Sequence, residues 1–313
     1  MITTVIPVYN GERYLPETIE SILAQTRQPD RVIILDNCST DGTRDVFEKY
    51  ERPGFEWHQN ETNLGQIGNL NKAHDYASET DYLHVLTDDD PVTPDFMEKM
   101  IGVLKDAPPP SMAYSSFVVV DGEGKERGEE ADFKCFFPIE PGKEGYEISK
   151  NTFLANQSEL HTVLVPAVVY KTGRRPCRAR FRPDLVQIGD CAFYADMGND
   201  CQKIFEIPEV LCRYRRHEQS VTSENQFNIE HWALAELRVM MQVASYINEG
   251  ALPRWLRRHR LLCYFAARSI VKVRSMKSVD ESHAAEISRL TRAEVSWLHW
   301  ALGKLAVIAR DGL

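Results

Sequence analysis

An apolar, strand-like stretch runs directly into three adjacent carboxylates at residues 82–90, YLHVLTDDD. Three similar apolar runs precede it, and each of the four is followed by a segment with helical spacing. The strand and helix pairs are 3–8 with 12–25, 31–35 with 43–50, 55–58 with 66–77, and 82–86 with 94–104. Strands that alternate with helices predict an α/β fold with a mostly parallel sheet.

In such a sheet, ligands bind outside the carboxyl ends of the strands. The loops that follow Val8, Leu35 and Leu86 are therefore expected to share one mouth. These loops carry Tyr9, Asn10, Asp36 and the cluster Asp88–Asp90.

The acidic cluster 88–90 has two interpretations. Adjacent carboxylates repel one another unless water or a cation neutralises them, and Mg²⁺ and Mn²⁺ prefer carboxylate oxygens shared with phosphates. A divalent metal site is therefore one prediction, and a solvated acidic turn before the next helix is the other. Asp36 is likewise either an acceptor for a base or ribose or the first residue of an Asx-turn.

Composition narrows the class of protein. The 313-residue chain has a formal net charge of −9, which argues against nucleic acid as the main partner. Its seven cysteines form no CxxC pair, so we expect neither a zinc site nor a disulfide framework, and a reducing compartment. The sequence shows no leader-like segment and no apolar run of about 18 residues, so we expect a cytoplasmic protein without a transmembrane helix.

Beyond a proline-rich break at 107–112, the second half is less regular. We predict strands at 112–120, 163–170, 203–207 and 211–214, a long loop at 121–146, and a short helix at 191–197. From about residue 224 the pattern is helical, with helices predicted at 226–248, 253–275 and 283–309.

No GxGxxG, GxxxxGK[ST] or GxSxG motif is present. Five segments instead resemble, in order, the motifs of family 2 glycosyltransferases. They are TTVIPVYN at 3–10, DNCSTDGT at 36–43, Asn63-Leu64-Gly65 with Asn71, YLHVLTDDD with Pro94, and YRRH at 214–217 with Ser220 and Thr222. One departure is Thr87, which stands where the family often has an acid, so the family's DXD motif is shifted to Asp88–Asp90.

The resemblance covers about residues 1–222. It implies a GT-A catalytic domain there, with a nucleotide-sugar half at 1–110 and an acceptor half at 111–222, followed by a helical C-terminal region at 223–313. It also implies contacts from the donor nucleotide to Pro7, Tyr9, Asp36, Asn63, Gly65, Asp88, Arg215 and His217. The implied ligands of a Mn²⁺ or Mg²⁺ ion are Asp89, Asp90 and His217.

The family's catalytic base is an acid that opens a short helix in the second half, and Asp190 matches that position. Gly189 stands where family members often have a second acid. The structural alternative is that Asp190 is an N-cap, the commonest role of a helix-opening Asp. The other candidate bases are Asp184 and Glu159, and His161 is a candidate acceptor contact.

These features predict a metal-dependent, inverting glycosyltransferase of the bacterial surface-polysaccharide type. It would move a sugar from a nucleoside-diphosphate sugar to a hydroxyl of a saccharide or lipid-linked acceptor. UDP is the family default, with dTDP and GDP as alternatives. A nucleotidyltransferase would carry a Gly-rich basic loop where this chain has YNGER at 9–13. A catalytically inactive scaffold of a polysaccharide assembly complex is the remaining alternative, against which Asp36, Asp89, Asp190 and His217 argue.

The tail carries two further expectations. Residues 253–277 contain eight Lys or Arg and no Asp or Glu. A helical stripe about 100° wide holds five of these cations and predicts peripheral contact with an anionic membrane; the alternative is an amphipathic helix packed on the catalytic domain. The five are Arg254, Arg257, Arg258, Arg268 and Lys272. The apolar spacing of 283–309 also predicts a homodimer interface.

Overall fold

The computed structural model describes residues 1–127, 145–160, 163–185, 188–217, 234–277 and 280–311. The strands are β1 (Ile2–Val8), β2 (Arg31–Asp36), β3 (Phe55–Gln59), β4 (Tyr82–Val85), β5 (Ser111–Val120), β6 (Tyr146–Ile148), β7 (Val168–Lys171) and β8 (Lys203–Arg215). The helices are α1 (Leu15–Leu23), α2 (Thr43–Tyr50), α3 (Gly65–Asp75), α4 (Phe96–Leu104), α5 (Lys150–Ser158), α6 (Gly189–Asp200), α7 (Ala235–Tyr246), α8 (Ala251–Lys277), α9 (Glu281–Glu294) and α10 (Trp297–Asp311).

The eight described strands form one sheet in the order β3-β2-β1-β4-β7-β5-β8-β6. The first four strands along the chain pair in parallel, as their alternation with helices predicts. β7 is antiparallel to both β4 and β5, while β8 runs parallel to β5. Because β1, β2 and β4 share one direction, their carboxyl ends open at the same edge.

Helices cover both faces of this sheet. Successive side chains of a strand point to opposite faces, so Val5 and Ile33 join one apolar cluster, which includes residues of α3 and α5–α8. Ile6 and Ile34 join the other, which includes residues of α1, α2 and α4. The result is a three-layer α/β domain. The loops that follow β1, β2 and β4 lie at the carboxyl-end edge of its sheet.

Three predicted elements differ in the structure. The strand predicted at 163–170 is a 3₁₀ turn at Val165–Ala167 followed by β7, because Pro166 cannot donate to a sheet ladder. The two strands predicted at 203–207 and 211–214 are one strand, β8, which passes Pro208 where its register against β5 shifts. The helix predicted at 283–309 is divided into α9 and α10 by Val295, whose backbone is extended.

The structure also contains β6 and α5, which the sequence did not lead us to predict, and most of the predicted loop 121–146 lies outside the described residues. The first part of the predicted helix 226–248 lies outside them as well. The described cysteines Cys38, Cys177, Cys191, Cys201, Cys212 and Cys263 are free thiols. Among the described helices, none combines the length and the apolar character needed to cross a membrane.

The predicted basic stripe on α8 is not a single exposed surface. Arg268 and Lys272 form ion pairs at 3.0 and 2.6 Å with the buried carboxylate of Glu236. Arg257 pairs with Glu249 at 2.9 Å. The five cations therefore do not share one exposed face, because Arg268 and Lys272 neutralise an acid of α7.

Candidate active site

The loops after β1 and β2 are fastened to each other. The Asn10 backbone N–H donates to Ser39 Oγ at 2.9 Å, and the Thr40 N–H donates to Asn10 Oδ1 at 2.8 Å. Asn10 has a φ of 56°, a left-handed conformation that asparagine tolerates. The first two strand ends therefore share one mouth, as predicted.

The loop after β4 packs against the loop after β1. A Cβ on Gly11 would lie 2.6 Å from Asp88 Oδ2, so only glycine permits this approach. Thr18 Oγ1 on α1 donates to the Asp88 carbonyl at 2.9 Å. Asp88 is held between the β1 loop and the first helix, and burial, followed by the charge of Asp89, raises the pKa of its carboxyl well above the ordinary range.

A carboxylate and an imidazole meet at the rim of this mouth. His217 Nε2 lies 3.2 Å from Asp89 Oδ2, although the two residues are 128 positions apart in the chain. The His217 ring packs against the Tyr14 ring, with centroids 4.9 Å apart. The Asp89 and His217 side chains are 22% and 16% exposed, so a ligand can reach them from solvent.

Asp90 has a different environment. Its carboxylate is buried and accepts bonds from the Arg215 backbone N–H at 2.6 Å and from the Thr87 hydroxyl. Burial, followed by the neighbouring charge of Asp89, holds the pKa of Asp90 well above its ordinary range. Because both oxygens are engaged within the protein, Asp90 ties the end of β8 to the β4 loop.

Arg215, expected to approach a diphosphate, is 2% exposed. Its Nε donates to the Asp89 carbonyl at 3.0 Å, and Nη1 donates to the carbonyls of residues 121 and 122. Its Nη2 pairs with the Glu17 carboxylate, and the guanidinium lies over the Tyr14 ring. The structure thus makes Arg215 the residue that ties together β8, α1 and the loops after β4 and β5.

At the other end of the mouth, Pro7 is buried within β1, whereas Tyr9 is 49% exposed. The Asp36 carboxylate is buried and accepts bonds from the Ser39 N–H at 3.1 Å and from Gln59 Nε2 at 3.0 Å. The Asp36 carboxylate thus bonds to the backbone three residues further on, and this contact shapes the loop beside Tyr9.

A network of asparagines, which sequence reasoning missed, supports this loop. Asn37 Nδ2 donates to Asn63 Oδ1 at 2.8 Å, and Asn60 Nδ2 donates to Asn37 Oδ1 at 2.9 Å. The Gly65 N–H donates to Asn63 Oδ1 at 2.8 Å, and Gly65 has a φ of +68°, in the left-handed region that favours glycine. Asn37 is the second residue after the strand predicted at 31–35, and both Asn37 and Asn63 lie in segments that resemble family motifs.

Asp190 lies in the first turn of α6, but it is not the N-cap. Ile188 occupies that position, and no side chain caps the helix. Among the described residues, none donates a hydrogen bond to the Asp190 carboxylate. Burial raises its pKa to about 7. Asn71, part of the resemblance, exchanges hydrogen bonds with the Phe181 backbone at 2.9 and 2.8 Å and so anchors the segment that leads to α6.

The other two candidate bases are ion-paired. Asp184 lies 3.4 Å from Arg238 Nη1. Glu159 is buried and lies 2.9 Å from Arg260 Nη2. Burial raises the pKa of Glu159, although the charges of Arg260 and Arg257 act to lower it. Among the described residues, the Asp190 carboxylate has no such cationic partner. His161 lies outside the described residues.

The side chains at the rim fit a divalent ion shared with a phosphate. Within the described residues, no group of three His, Cys, Asp or Glu side chains is placed to enclose a metal. Neighbouring ligands on an octahedral ion with bonds of about 2.1 Å lie about 3 Å apart, which matches the Asp89–His217 separation of 3.2 Å. Ions such as Mg²⁺ are commonly held by one or two protein ligands, with phosphates and water completing the shell.

The sequence pattern of glycosyl transferase family 2 matches residues 3–176, more than half of the chain. The chain belongs to this family. It is 35% identical over 103 residues to TuaG of Bacillus subtilis, named as a glycosyltransferase of teichuronic acid biosynthesis; the match spans 32% of this chain and 40% of TuaG. It is 36% identical over 88 residues to the O-antigen chain rhamnosyltransferase WbaN of Salmonella anatum, across 28% of this chain and 27% of WbaN. The chain thus spans less than half the length of these curated relatives.

Solved structures extend the likeness beyond the family match. TarS of Staphylococcus aureus, in complex with UDP, superposes with a TM-score of 0.61 at 20% identity, covering 89% of this chain and 75% of that one. The mannosyltransferase PcManGT of Pyrobaculum calidifontis, in complex with GDP-Man and Mn²⁺, gives a TM-score of 0.52 at 14% identity, covering 98% and 86%. The predicted fold class, a GT-A domain with a helical C-terminal region, is confirmed.

Proposed function

We propose that this chain is a glycosyltransferase that moves a sugar from a nucleoside-diphosphate sugar to an acceptor hydroxyl, with inversion at the anomeric carbon. The observation that carries the proposal is the Asp89–His217 pair at 3.2 Å, at the strand ends of a family 2 chain. It brings an oxygen and a nitrogen ligand to the place where ligands bind in α/β sheets.

We infer that the nucleotide lies across the ends of β1 and β2. Tyr9 is exposed there and offers a ring for a base to stack on. Asp36 already accepts two hydrogen bonds, so a base N–H would share its carboxylate with Ser39 and Gln59. UDP is the nucleotide proposed, supported by the fold shared with UDP-bound TarS.

We assign Asp89 and His217 as the protein ligands of a divalent ion, with the donor diphosphate completing its shell. Once bound, such an ion would supply Lewis-acid stabilisation to the departing diphosphate. The residues around it have positioning roles. Arg215 fixes the Asp89 carbonyl, and Tyr14 packs against the His217 ring, so both ligands are held before the donor arrives. Asp90, whose oxygens are engaged elsewhere, is not part of the proposed ligand set.

Asp190 is the proposed general base. Its carboxylate would take the proton of the acceptor hydroxyl while the hydroxyl oxygen bonds to the anomeric carbon and the diphosphate leaves from the opposite face. A base works best when its pKa lies near the working pH, and a pKa of about 7 meets that condition. A single displacement of this kind inverts the anomeric centre, so a product with retained configuration would contradict it.

The acceptor is proposed to be a saccharide or a lipid-linked saccharide of a surface polymer. The support is the names of two relatives, in teichuronic acid biosynthesis and in O-antigen chain synthesis.

The donor site is tested by thermal denaturation with UDP, dTDP, GDP and CMP, each with Mn²⁺ or with EDTA. A ligand at 100 times its Kd stabilises by about 2.7 kcal/mol. We expect one nucleoside diphosphate to stabilise the protein when Mn²⁺ is present and not when EDTA is present. The variant Asp89→Asn should lose this stabilisation. The control Asp106→Asn, which changes an exposed acid away from the site, should keep it. No stabilisation under any condition would refute the donor site and favour a scaffold protein.

A further inference from the structure

The outward face of α10 is apolar, although it is exposed. Trp297 is 81% exposed, Leu298 49%, Leu302 45% and Leu305 60%. The opposite face carries Gly303, where an added Cβ would lie 2.8 Å from Ala266 of α8, so the inner face of α10 is already packed. An exposed helix face normally carries polar side chains, whereas the exposed face of α10 carries large apolar ones.

Helix α8 continues the apolar surface. His259 of α8 hydrogen-bonds and stacks with His299 of α10. The Trp255 ring packs on His259, and Trp255 is 56% exposed. Leu252 and Leu256 are 66% and 54% exposed beside it. The seven exposed apolar residues of α8 and α10 (Leu252, Trp255, Leu256, Trp297, Leu298, Leu302 and Leu305) are called the tail patch below.

Cations accompany the tail patch. Arg254, Arg258 and Lys304 are exposed on the same two helices. Arg254 donates to the backbone carbonyl of Glu249, and no carboxylate of the described residues forms an ion pair with it. In the described part of the chain, neither Arg258 nor Lys304 has an ion-pair partner, and α8 contains no Asp or Glu. Exposed tryptophan and leucine beside unpaired cations are the combination that binds an anionic lipid surface.

We propose that the tail patch docks the protein on the surface of an anionic bilayer, with the apolar side chains in the headgroup region and Arg254 and Arg258 near lipid phosphates. Charge decides between this partner and a second copy of the chain. A two-fold contact through the patch would bring two identical sets of cations together, which is unfavourable, whereas an anionic surface neutralises them. The proposal goes beyond the sugar-transfer chemistry and does not depend on it.

The test is co-sedimentation of the full chain with vesicles of phosphatidylcholine alone or with 30% phosphatidylglycerol. We expect binding to the anionic vesicles, weakened by salt. Each cation near such a surface contributes about fivefold in affinity, so Arg254→Ser with Arg258→Ser should weaken binding by about 25-fold. The matched control Arg289→Ser removes an exposed cation from α9 and should bind as the unaltered protein does.

A second variant tests the apolar part. Trp297→Ser with Leu305→Ser should reduce vesicle binding at least tenfold, while its thermal denaturation and its nucleotide-induced stabilisation stay unchanged. Absence of vesicle binding by the unaltered protein would overturn the proposal, as would equal binding to uncharged vesicles. A dimer in sedimentation equilibrium that this variant dissolves, without vesicle binding, would assign the patch to a second copy instead.

Discussion

Replacing Asp190 with asparagine distinguishes a general base from a residue that only stabilises the start of α6, because the two roles predict opposite changes in the free energy of unfolding. A carboxylate that only complements a helix N-terminus contributes about 0.3–1 kcal/mol, so Asp190→Asn would destabilise the protein slightly. If Asp190 is instead a buried carboxyl with a raised pKa, Asp190→Asn would stabilise the protein. The ordinary pKa of Asp190 is 3.8 and burial raises it to about 7. That difference corresponds to about 4 kcal/mol as an upper limit, and access of water to the partly exposed side chain reduces it to about 1–3 kcal/mol.

The pH dependence follows from where the proton resides. Between pH 3.8 and about 7 the unfolded chain has lost the Asp190 proton and the folded chain still holds it, so stability falls as pH rises through this window. Asparagine does not titrate. The free energy of unfolding of Asp190→Asn should therefore exceed that of the unaltered protein by about 1–3 kcal/mol at pH 8, with a smaller difference at pH 5.

The assay is urea denaturation at pH 5 and pH 8, together with the pH profile of sugar transfer. The control is Asp200→Asn, which removes an exposed carboxylate from the other end of the same helix. We expect kcat/KM to rise with pH and level off above about 7, and to fall 10²–10⁴-fold in Asp190→Asn, the usual contribution of a general base. If Asp190→Asn is less stable at pH 8 and keeps its activity, Asp190 is a helix-end residue and the reasoning is refuted.

Three further predictions concern residues that hold the site and the tail together. Arg215→Met should destabilise the protein by about 2–4 kcal/mol in urea denaturation, because several charge-assisted hydrogen bonds are lost; an equal loss in Arg213→Met would show that Arg215 has no special role. Gly11→Ala should weaken nucleotide-induced stabilisation, since its Cβ would displace Asp88, and unchanged stabilisation would exclude Asp88 from the site. Glu236→Gln removes the counter-charge that Glu236 gives to Arg268 and Lys272 and should cost about 3–5 kcal/mol. Burial acts to raise the pKa of Glu236, but the two cations lower it to about 2, so its contribution in the unaltered protein should be lost as pH falls from 4.5 towards 2.

The structure of the first 110 residues was predictable because the sequence signals that determine it are local. The spacing at 43–50 predicted α2 with its observed ends, and the strand-end rule placed Asp36 and Asp88 at one mouth. The second half required tertiary information. Pro208 reads as a strand end, yet β8 passes it at an irregular register against β5. The break between α9 and α10 falls at Val295, where neither glycine nor proline marks it.

The sequence predicted which residues lie near the site better than it predicted what each of them does there. Arg215 and His217 stand two positions apart in one motif, but one is buried and the other reaches the rim. Arg215 is buried because Glu17, 198 positions away, meets it from α1. No spacing within the motif indicates such a partner. The pairing of cations on α8 was equally unpredictable from local spacing. Buried Glu236 on α7 forms ion pairs with two of the cations that we had predicted to lie on an exposed stripe.

The great separation of Asp89 and His217 along the chain has a consequence for assembly. His217 follows the strand β8 and lies beyond residue 176, where the family match ends. A nascent chain that has not yet docked β8 beside β5 has the first four strands and Asp89, but it lacks His217 at the rim of the mouth. Contacts across long stretches of chain form late in folding. Retention on an immobilised nucleoside diphosphate would therefore select molecules whose sheet is complete, and a fragment ending before β8 should pass through such a column however well its first half is folded.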